Sequence, residues 1–331
     1  MKKLIMWLVI VMPLIMNANE TKIKFASLAP RGSTWLNVMD EYNQEIKRVT
    51  QGTLSFRIYP GGVSGNEVDV LRKMRSGQLH SGGFTGVALG EILPEVRILD
   101  SPFLFKNSQE VDFINQTLRE EFSAKFKEKG FILLGWAEVG FVYIFTKKPI
   151  TSLKDMDGVK MWMWEGDPVA HATFSSLSFK PIPLSVTDVL TALQTGMVDG
   201  FYISPLGAVS MQWYTKAKYM LKLPLANSAG AVLISKKEFD KLSPEHQSIL
   251  MELGRKYMDK LVELSRKDND KSILEMQKKG LKLTEITSPD ELKKIELAGI
   301  AARKKMAQQL FTPELLKKVE TSLNQYRNET H

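Results

Sequence analysis

Cysteine is absent from this chain of 331 residues. The chain therefore forms no disulfide, carries no lipid on an N-terminal cysteine, and has neither thiolate metal sites nor a thiol nucleophile. Its stability must come from packing. With 44% hydrophobic and 25% charged residues, the composition is that of an ordinary globular protein, and the length allows one large or two medium domains.

The sequence motifs of catalysis are missing as well. Histidine occurs at four scattered positions, and there is no histidine pair around a glutamate, no Gly-x-Ser-x-Gly elbow, no phosphate loop and no dinucleotide glycine fingerprint. We therefore expect neither an enzyme nor a cofactor. A metal site made of carboxylates stays open because sequence spacing cannot exclude it, although no cluster of ligand residues suggests one.

Long apolar runs are absent except at the start of the chain. Lys2 and Lys3 precede an apolar run over residues 4–15, too short to cross a hydrocarbon core of about 30 Å. Residues 1–18 are thus predicted to be a secretory signal peptide, cleaved after Ala18, which places the mature protein in the periplasm. The alternative is a retained amphipathic anchor, but the run has no polar face.

The positive charge is not concentrated in one block. The formal net charge is +8, and in the last third of the chain lysines alternate with glutamates, as on solvated helix faces. No basic block interleaved with aromatic residues is present, so we expect no nucleic-acid partner.

The order of short apolar runs and helical stripes predicts an α/β fold. From about residue 22 to 235, strand-like runs alternate with helical periodicity, as in parallel sheets with crossover helices. Two apolar runs, 131–136 and 141–146, lie on either side of a hinge-like segment, and a change of unit is expected after them. A leucine stripe from Ser243 toward Gly280 predicts one long spine helix.

Four segments carry a resemblance to a known family. They are PGGVSGNE at 60–67, PEVRILDSPFLF at 94–105, DMDGVK at 155–160 and TALQTGMVDG at 191–200. In order and spacing these segments resemble the substrate-binding proteins of tripartite ATP-independent periplasmic (TRAP) transporters, the dicarboxylate-receptor or DctP type. The resemblance extends from about residue 22 to 253.

The resemblance implies a two-domain periplasmic binding protein fold with mixed sheets, crossing strands and a long domain-spanning helix. Domain I is expected at 19–139 plus 229–268 and domain II at 140–228 plus 269–331, with the ligand cleft between them. Receptors of this kind deliver a ligand to membrane permease subunits driven by an ion gradient, and perform no chemistry. A subfamily without the binding arginine works with a tetratricopeptide-repeat protein, so such a periplasmic partner is a candidate here.

The chain departs from the family where carboxylated ligands are usually held. Members that bind such ligands resemble this chain except that arginines stand at the positions of Trp162 and Val142, and polar residues at 201–203. An arginine makes two parallel hydrogen bonds to a carboxylate, whereas tryptophan offers one N–H and a large apolar face. An anion enclosed without a partner incurs a desolvation penalty of at least several kcal/mol. The sequence therefore favours an apolar or amphipathic ligand.

Eight aromatic residues are predicted to line the cleft: Trp162, Trp164, Phe201, Tyr202, Phe141, Trp35, Phe84 and Trp213. Trp162 and Trp164 alternate on one strand and so share a face, with Met161 and Met163 on the other. For Phe141 and Trp213 the alternative is a place in the core, because aromatic residues in apolar strands or domain interiors more often pack than bind. The same alternative is open for Trp35, which also belongs to a helix stripe, and for Phe84, which ends a strand.

Three hypotheses of function follow. The first is a receptor for a hydrophobic or amphipathic small molecule, such as a lipid, a fatty or branched-chain acid, or an aromatic compound. The second is a receptor for an organic acid held by a substitute cation or by helix N-termini aimed into the cleft. Among the cations, Arg31 is favoured over Arg57 and Arg97 because its loop follows a strand end. The third is a periplasmic scaffold that has kept the fold but binds no ligand.

Overall fold

A computed structural model describes residues 20–329, so the predicted signal peptide lies outside the described residues. The strands are β1 Thr21–Ala26, β2 Leu54–Tyr59, β3 Ser81–Thr85, β4 Phe131–Thr146, β5 Trp162–Trp164, β6 Ile182–Leu184, β7 Gly200–Ile203, β8 Tyr219–Leu221, β9 Ala226–Ser235 and β10 Lys282–Thr284.

The α-helices alternate with these strands and then dominate the end of the chain. They are α1 Thr34–Val49, α2 Glu67–Arg75, α3 Gly86–Ile92, α4 Ser108–Glu128, α5 Pro168–Ser176, α6 Val189–Thr195, α7 Pro205–Ser210, α8 Lys236–Phe239, α9 Pro244–Lys278, α10 Pro289–Met306 and α11 Pro313–Glu329. A 3-10 helix, Pro94–Asp100, connects α3 to the segment before α4.

The main sheet is mixed. Its strand order is β10-β8-β4-β9-β3-β1-β2, with β7 also paired to β4, and β5 and β6 form a separate parallel pair. Strand β1 is parallel to β2 and β3, whereas β9 is antiparallel to β3 and β4. The α/β fold with mixed sheets that the sequence predicts is confirmed.

Strand β4 belongs to two parts of the sheet. The sequence predicts two separate runs here, but the structure has one strand of 16 residues. Up to Val142 it pairs with β9, and residues 143–146 pair with β7. The pairing with β9 is irregular between Leu133 and Gly135 and between Glu138 and Gly140, and such bulges bend a strand. We call the part built on β1, β2, β3 and β9 the first lobe, and the part built on β5, β6, β7, β8 and β10 the second lobe.

Each lobe packs apolar side chains on two faces. In the first lobe, the neighbours Val232 and Leu233 of β9 belong to different core clusters, because side chains along a strand alternate between its faces. In the second lobe, Trp162 and Met163 are likewise divided between two clusters. The predicted alternation of tryptophans and methionines on β5 is therefore confirmed.

Helix α9 is the spine predicted from the leucine stripe. It has 35 residues, with Pro244 at its first position and the Ser243 hydroxyl as its cap. It packs against α1 and β4 and also against α7. The approach to β4 depends on Gly254, where an added Cβ would lie 2.6 Å from the carbonyl oxygen of Leu134. None of the helices within residues 20–329 combines the length and the apolar character that a membrane span requires.

Two elements differ locally from their predictions. The apolar pattern of residues 159–163 predicts a strand, but the strand is confined to Trp162–Trp164, because the Lys160 N–H donates to the Asp199 carboxylate at 2.9 Å instead of to a strand. The pattern of residues 186–193 predicts a helix ended by Gly196, and the structure begins it as a 3-10 turn that becomes α6 only at Val189. The end at Gly196 is confirmed, since that glycine caps α6 with a φ of +75°.

Candidate ligand-binding cleft

Two adjoining chambers have walls from both lobes. The larger has a volume of about 150 Å³ and the smaller a volume of about 90 Å³. We call the larger one the tryptophan chamber, because Trp35, Trp162 and Trp164 line it, and the smaller one the polar chamber, because Arg97 and Asn227 line it. The chambers share the wall residues Thr85, Val142, Trp164, Tyr202 and Ser228.

The first-lobe wall of the tryptophan chamber follows the ends of parallel strands. The loop after β1 and the end of β3, including Phe84, contribute to it. Ligands of open α/β sheets bind beyond the carboxyl ends of such strands. Trp35, near the start of α1, packs closely against the sheet, since an added Cβ at Gly83 would be 3.1 Å from its ring. Its indole N–H donates to the carbonyl oxygen of Glu138 at 3.3 Å.

The second-lobe wall is a cluster of aromatic rings. Trp162, which is 2% exposed, stacks on Tyr202 with ring centroids 5.1 Å apart and an angle of 21° between the planes. Its indole N–H donates to the Leu184 carbonyl oxygen at 3.0 Å. Trp164 is adjacent, with its ring 6.3 Å from that of Trp162. Because the Trp162 donor is already used within the protein, this wall presents an apolar surface to the chamber.

The structure brings five of the eight predicted aromatic residues into the chamber walls: Trp35, Phe84, Trp162, Trp164 and Tyr202. Phe201 and Trp213 instead lie behind that wall. Phe201 stacks on Phe145 at 5.0 Å, and Trp213 meets Trp162 edge-on at 5.2 Å. Neither lines a chamber, because β7 presents Tyr202 to the cleft and directs its neighbour to the core.

Phe141 also lies away from the cleft. Its side chain packs against a core cluster of the first lobe, whereas the next residue, Val142, lines both chambers. The cause is again the alternation of side chains along an extended strand. The sequence interpretation selected the larger of two neighbouring residues, but the smaller one faces the cavity.

Arg31, the favoured substitute cation, does not reach either chamber. It is exposed and borders a separate surface hollow together with Asp268, Lys271 and Glu275. The turn closed by the Ser33 N–H and the Pro30 carbonyl oxygen at 3.2 Å places residues 30 and 33 in the cleft wall and leaves residue 31 pointing outward.

Arg97 is the only lysine or arginine among the described residues that line the two chambers. Its side chain is 4% exposed and lies between two carboxylates. Nε is 3.0 Å from Asp100 Oδ2, and Nη2 is 2.7 Å from Asp167 Oδ1. Asp167 also caps α5 by accepting from the Val169 N–H at 3.0 Å. The pair of Arg97 and Asp167 therefore joins the first lobe to the second.

The cleft contains several acidic groups but only one arginine among its described lining residues. Burial raises the pKa of Asp100 to about 6, although Arg97 acts in the opposite direction. Burial also raises the pKa of Glu67 to about 7, although its carboxylate accepts from the N–H and the hydroxyl of Thr85 at 2.9 and 2.8 Å. Burial, and next the charge of Asp167, raises the pKa of the Tyr202 hydroxyl. The cleft is consequently acidic rather than basic when these carboxyl groups are ionised.

Two donors in the polar chamber lack a well-aligned acceptor. The Asn227 side chain is 2% exposed and its Nδ2 has no hydrogen-bond partner within the described residues. Arg97 Nε is close to Asp100, but the N–H is not directed at that carboxylate well enough for a hydrogen bond. Unpaired buried donors are rare in proteins and favour a site that a ligand oxygen completes.

The sequence contains one indication of this polar site. Gly86 and Gly90 stand four residues apart and so lie on one face of α3. An added Cβ at Gly86 would be 1.7 Å from Asp100 Oδ2, and one at Gly90 would be 2.7 Å from Arg97 Cδ. The two glycines therefore make room for the buried ion pair. Within residues 20–329, no group of three or more His, Cys, Asp or Glu side chains is arranged to hold a metal ion.

Comparison with known proteins identifies the family. The family model DctP, described as bacterial extracellular solute-binding protein, family 7, matches residues 25–309. The chain belongs to the DctP family. It is a solute-binding receptor of the TRAP type, as the sequence resemblance predicts.

Relatives of this DctP receptor have known ligands. The 2,3-diketo-L-gulonate-binding periplasmic protein YiaO of Escherichia coli is 25% identical over 251 residues, which are 73% of this chain and 74% of YiaO. The sugar-acid-binding protein DctPAm of Advenella mimigardefordensis, solved with galactonate, has a TM-score of 0.86 at 22% identity and covers 93% of this chain and 99% of its own.

A third similar protein was solved with a smaller acid. It is a TRAP periplasmic solute-binding protein from Ralstonia eutropha H16 with bound (S)-2-acetolactate, and it has a TM-score of 0.85 at 20% identity. The match covers 92% of this chain and 99% of that one. At this identity the likeness to the two solved structures establishes the fold, which agrees with the two-lobe architecture described above.

Proposed function

We propose that this TRAP receptor binds a small organic acid with an apolar body and delivers it to membrane permease subunits. The apolar body occupies the tryptophan chamber, and the acid group points into the polar chamber. The observation that carries the proposal is that an aromatic chamber adjoins a chamber with an arginine and an unpartnered amide. The organic acids bound by the similar receptors support an acid over an uncharged hydrocarbon.

The proposal joins the first two sequence hypotheses and changes the residue that meets the acid. An organic acid has more support than a wholly hydrophobic ligand, but Arg31 lies outside the chambers. Arg97, one of the two arginines that the sequence places behind Arg31, lines the polar chamber. The acid group of the ligand is therefore proposed to contact Arg97 and Asn227.

The hydroxyl groups around the tryptophan chamber favour an apolar body over a sugar chain. The Ser33 hydroxyl donates to the Pro30 carbonyl oxygen at 2.7 Å, and the Thr34 hydroxyl donates to Asp268 at 2.7 Å. The Ser204 hydroxyl accepts from the Gly207 N–H at 3.1 Å at the start of α7. Ser33 and Thr34 therefore have no O–H left to donate to a ligand, and each buried ligand oxygen without a donor costs about 1–3 kcal/mol.

Burial of an apolar body supplies enough free energy for binding. A ring or branched chain that buries about 200 Å² gains about 5 kcal/mol at about 25 cal/mol per Å², before the cost of association. Aromatic walls such as those of Trp35, Trp162 and Trp164 suit flat or branched ligands.

A second candidate is a neutral apolar ligand. It is favoured by the pairing of Arg97 with both Asp100 and Asp167, which leaves the arginine without free charge. The third hypothesis, a scaffold that binds nothing, is disfavoured because the aromatic side chains leave two chambers open.

Other predictions from the sequence continue as proposals. They are cleavage after Ala18 and location in the periplasm, the domain boundaries at 139/140, 228/229 and 268/269, and a tetratricopeptide-repeat partner. The helix and strand contacts of residues 20–329 carry no argument for the repeat-protein partner.

Mass spectrometry of organic extracts of the natively purified protein tests the proposal. We expect one small carboxylic acid with an apolar body to be recovered from the wild-type protein, and much less from Trp164→Ala, which shortens the wall shared by both chambers. Trp213→Phe is the matched control, because that ring lies behind the wall, and its yield should resemble wild type. Recovery of a hydroxyl-rich sugar acid, or of no compound from any of the three proteins, would contradict the proposal.

A further inference from the structure

The polar chamber holds more negative than positive charge. Arg97 lies 3.0 Å from Asp100 and 2.7 Å from Asp167, and each of the three side chains is less than a tenth exposed. One guanidinium is thus opposed by two carboxylates. A ligand carboxylate that enters this chamber finds an arginine whose charge is already compensated. Adding an anion to a buried site without a free counter-charge is strongly unfavourable.

The same chamber nevertheless contains two hydrogen-bond donors that an acceptor oxygen of a ligand would satisfy. The buried Asn227 Nδ2 lines it and has no partner among residues 20–329, and none of these residues offers Arg97 Nε a well-aligned acceptor. An amide N–H and a guanidinium N–H are donors only. The chamber therefore suits a group that offers oxygen lone pairs, provided that its net charge does not become more negative.

We propose, on the basis of the function proposed above, that the receptor takes up one proton from solvent onto the Asp100 carboxyl group when its acid ligand binds. The ligand carboxylate then accepts from Asn227 and Arg97, and the formal charge of the chamber is unchanged. The only covalent change is the O–H bond that forms on Asp100.

Asp100 is better suited to accept that proton than the other carboxyl groups of the cleft. Its charged surroundings are as follows. The charged groups that act on Asp100 are Arg97 on the same 3-10 helix and Asp167 at the start of α5. Tyr202 on β7 and Glu67 on α2 interact with Arg97 instead. The nearby Arg303 of α10 is engaged elsewhere, because it donates to the carbonyl oxygen of Pro102 at 2.7 Å.

Two contacts distinguish Asp100 from the other carboxyl groups. Asp167 accepts from both Arg97 and the Val169 N–H on one oxygen, so it is held as an acceptor. Glu67 borders the tryptophan chamber, and its carboxylate accepts from the N–H and the hydroxyl of Thr85. Asp100 touches Arg97 directly, and burial already raises its pKa to about 6. A ligand carboxylate would be the third on Arg97 and would raise the pKa of Asp100 further.

Isothermal titration calorimetry with matched acids and amides tests this inference on the wild-type protein. The probes are phenylacetate with phenylacetamide and 4-methylpentanoate with 4-methylpentanamide, each titrated near neutral pH in two buffers of different ionisation enthalpy. We expect each acid to bind with uptake of about one proton and each amide to bind with none. The affinity of the acids should fall by up to about tenfold per unit between about pH 6 and 8, and that of the amides should stay constant.

The direction of this dependence follows from the free receptor. Below about pH 6, Asp100 already carries its proton before the ligand arrives, so the affinity for the acid levels off. Above that pH the proton must be taken from solvent, and binding weakens as pH rises. Asp100→Asn should abolish the proton uptake, whereas Glu67→Gln should retain it.

The outcomes separate this inference from the proposed function. Acids that bind without proton uptake overturn the inference and leave the proposed function intact. Proton uptake that disappears in Glu67→Gln and persists in Asp100→Asn overturns the assignment to Asp100. Failure of both acids to bind the wild-type protein overturns the proposed function, and the inference with it.

Discussion

The two chambers of the cleft differ in how far the protein satisfies its own polar groups. In the tryptophan chamber, the indole N–H groups of Trp35 and Trp162 both donate to backbone carbonyl oxygens. In the polar chamber, Asn227 Nδ2 has no partner within the part of the chain that the structure describes, and Arg97 is shared by two carboxylates. The first chamber can contribute affinity through buried area, whereas the second determines which chemical group is accepted.

Removal of the indole that supports the tryptophan chamber should have the largest effect on stability. Trp162→Ala empties a site that is 2% exposed and stacked on Tyr202, and we expect a loss of about 3–5 kcal/mol in the free energy of unfolding. Urea denaturation followed by circular dichroism measures it. Trp162→Phe keeps an aromatic ring but loses the bond to Leu184, so it should cost less. Equal losses for the two variants would contradict this account of the wall.

A smaller but still large loss in the free energy of unfolding is expected when a side chain is added next to the ion pair of the polar chamber. Gly86→Ala places a Cβ 1.7 Å from Asp100 Oδ2, and that carboxylate cannot move away without losing the Ala229 N–H, at 2.7 Å, and Arg97. We expect destabilisation by about 2–3 kcal/mol in the same denaturation experiment. Glu91→Ala, at an exposed position of the same helix, is the control and should change stability by less than about 0.5 kcal/mol. An unchanged midpoint for Gly86→Ala would show that the ion pair is not packed against α3.

The contact between the lobes can be weakened without loss of a helix cap. Asp167→Asn removes the charge that pairs with Arg97, but asparagine still accepts from the Val169 N–H. Because Arg97 retains Asp100, we expect a cost of about 1–2 kcal/mol. Thermal unfolding of Asp167→Asn beside Asp167→Ala separates the contribution of the charge pair from that of the helix cap. The free energy of unfolding of the alanine variant should be about 1 kcal/mol lower than that of the asparagine variant, because alanine also removes the cap. Identical melting curves for the two variants would show that Asp167 does not stabilise α5 as its cap.

Stability should also depend on pH through Glu67, without any substitution. Burial raises its folded-state pKa from 4.5 to about 7, so the native state binds the proton more tightly than the unfolded state. Its contribution to stability is present below about pH 4.5 and is lost as pH rises to about 7. Relative to Glu67→Gln, the wild-type free energy of unfolding should fall by up to about 1.4 kcal/mol per pH unit across this range. Parallel pH profiles for the two proteins would refute the burial of an ionisable Glu67.

The parts of the fold that depend on neighbouring residues were predictable. The cap of α5 at Asp167, the start of α9 after Ser243 and the end of α6 at Gly196 each follow from residues within one helical turn. The division of Trp162 and Met163 between two faces follows from the period of a strand. The four motif segments were sufficient to predict the receptor family.

The sequence by itself therefore determined the element types, the family and the aromatic character of one side of the cleft. Tertiary structure alone decided that Tyr202 and Val142, rather than Phe201 and Phe141, face the cavity. It also decided that Arg97 meets Asp167, 70 residues away, and that Arg31 points outward. The physical reason is that a strand's period fixes which side chains share a face, but the packing of one lobe against the other fixes which face meets the ligand.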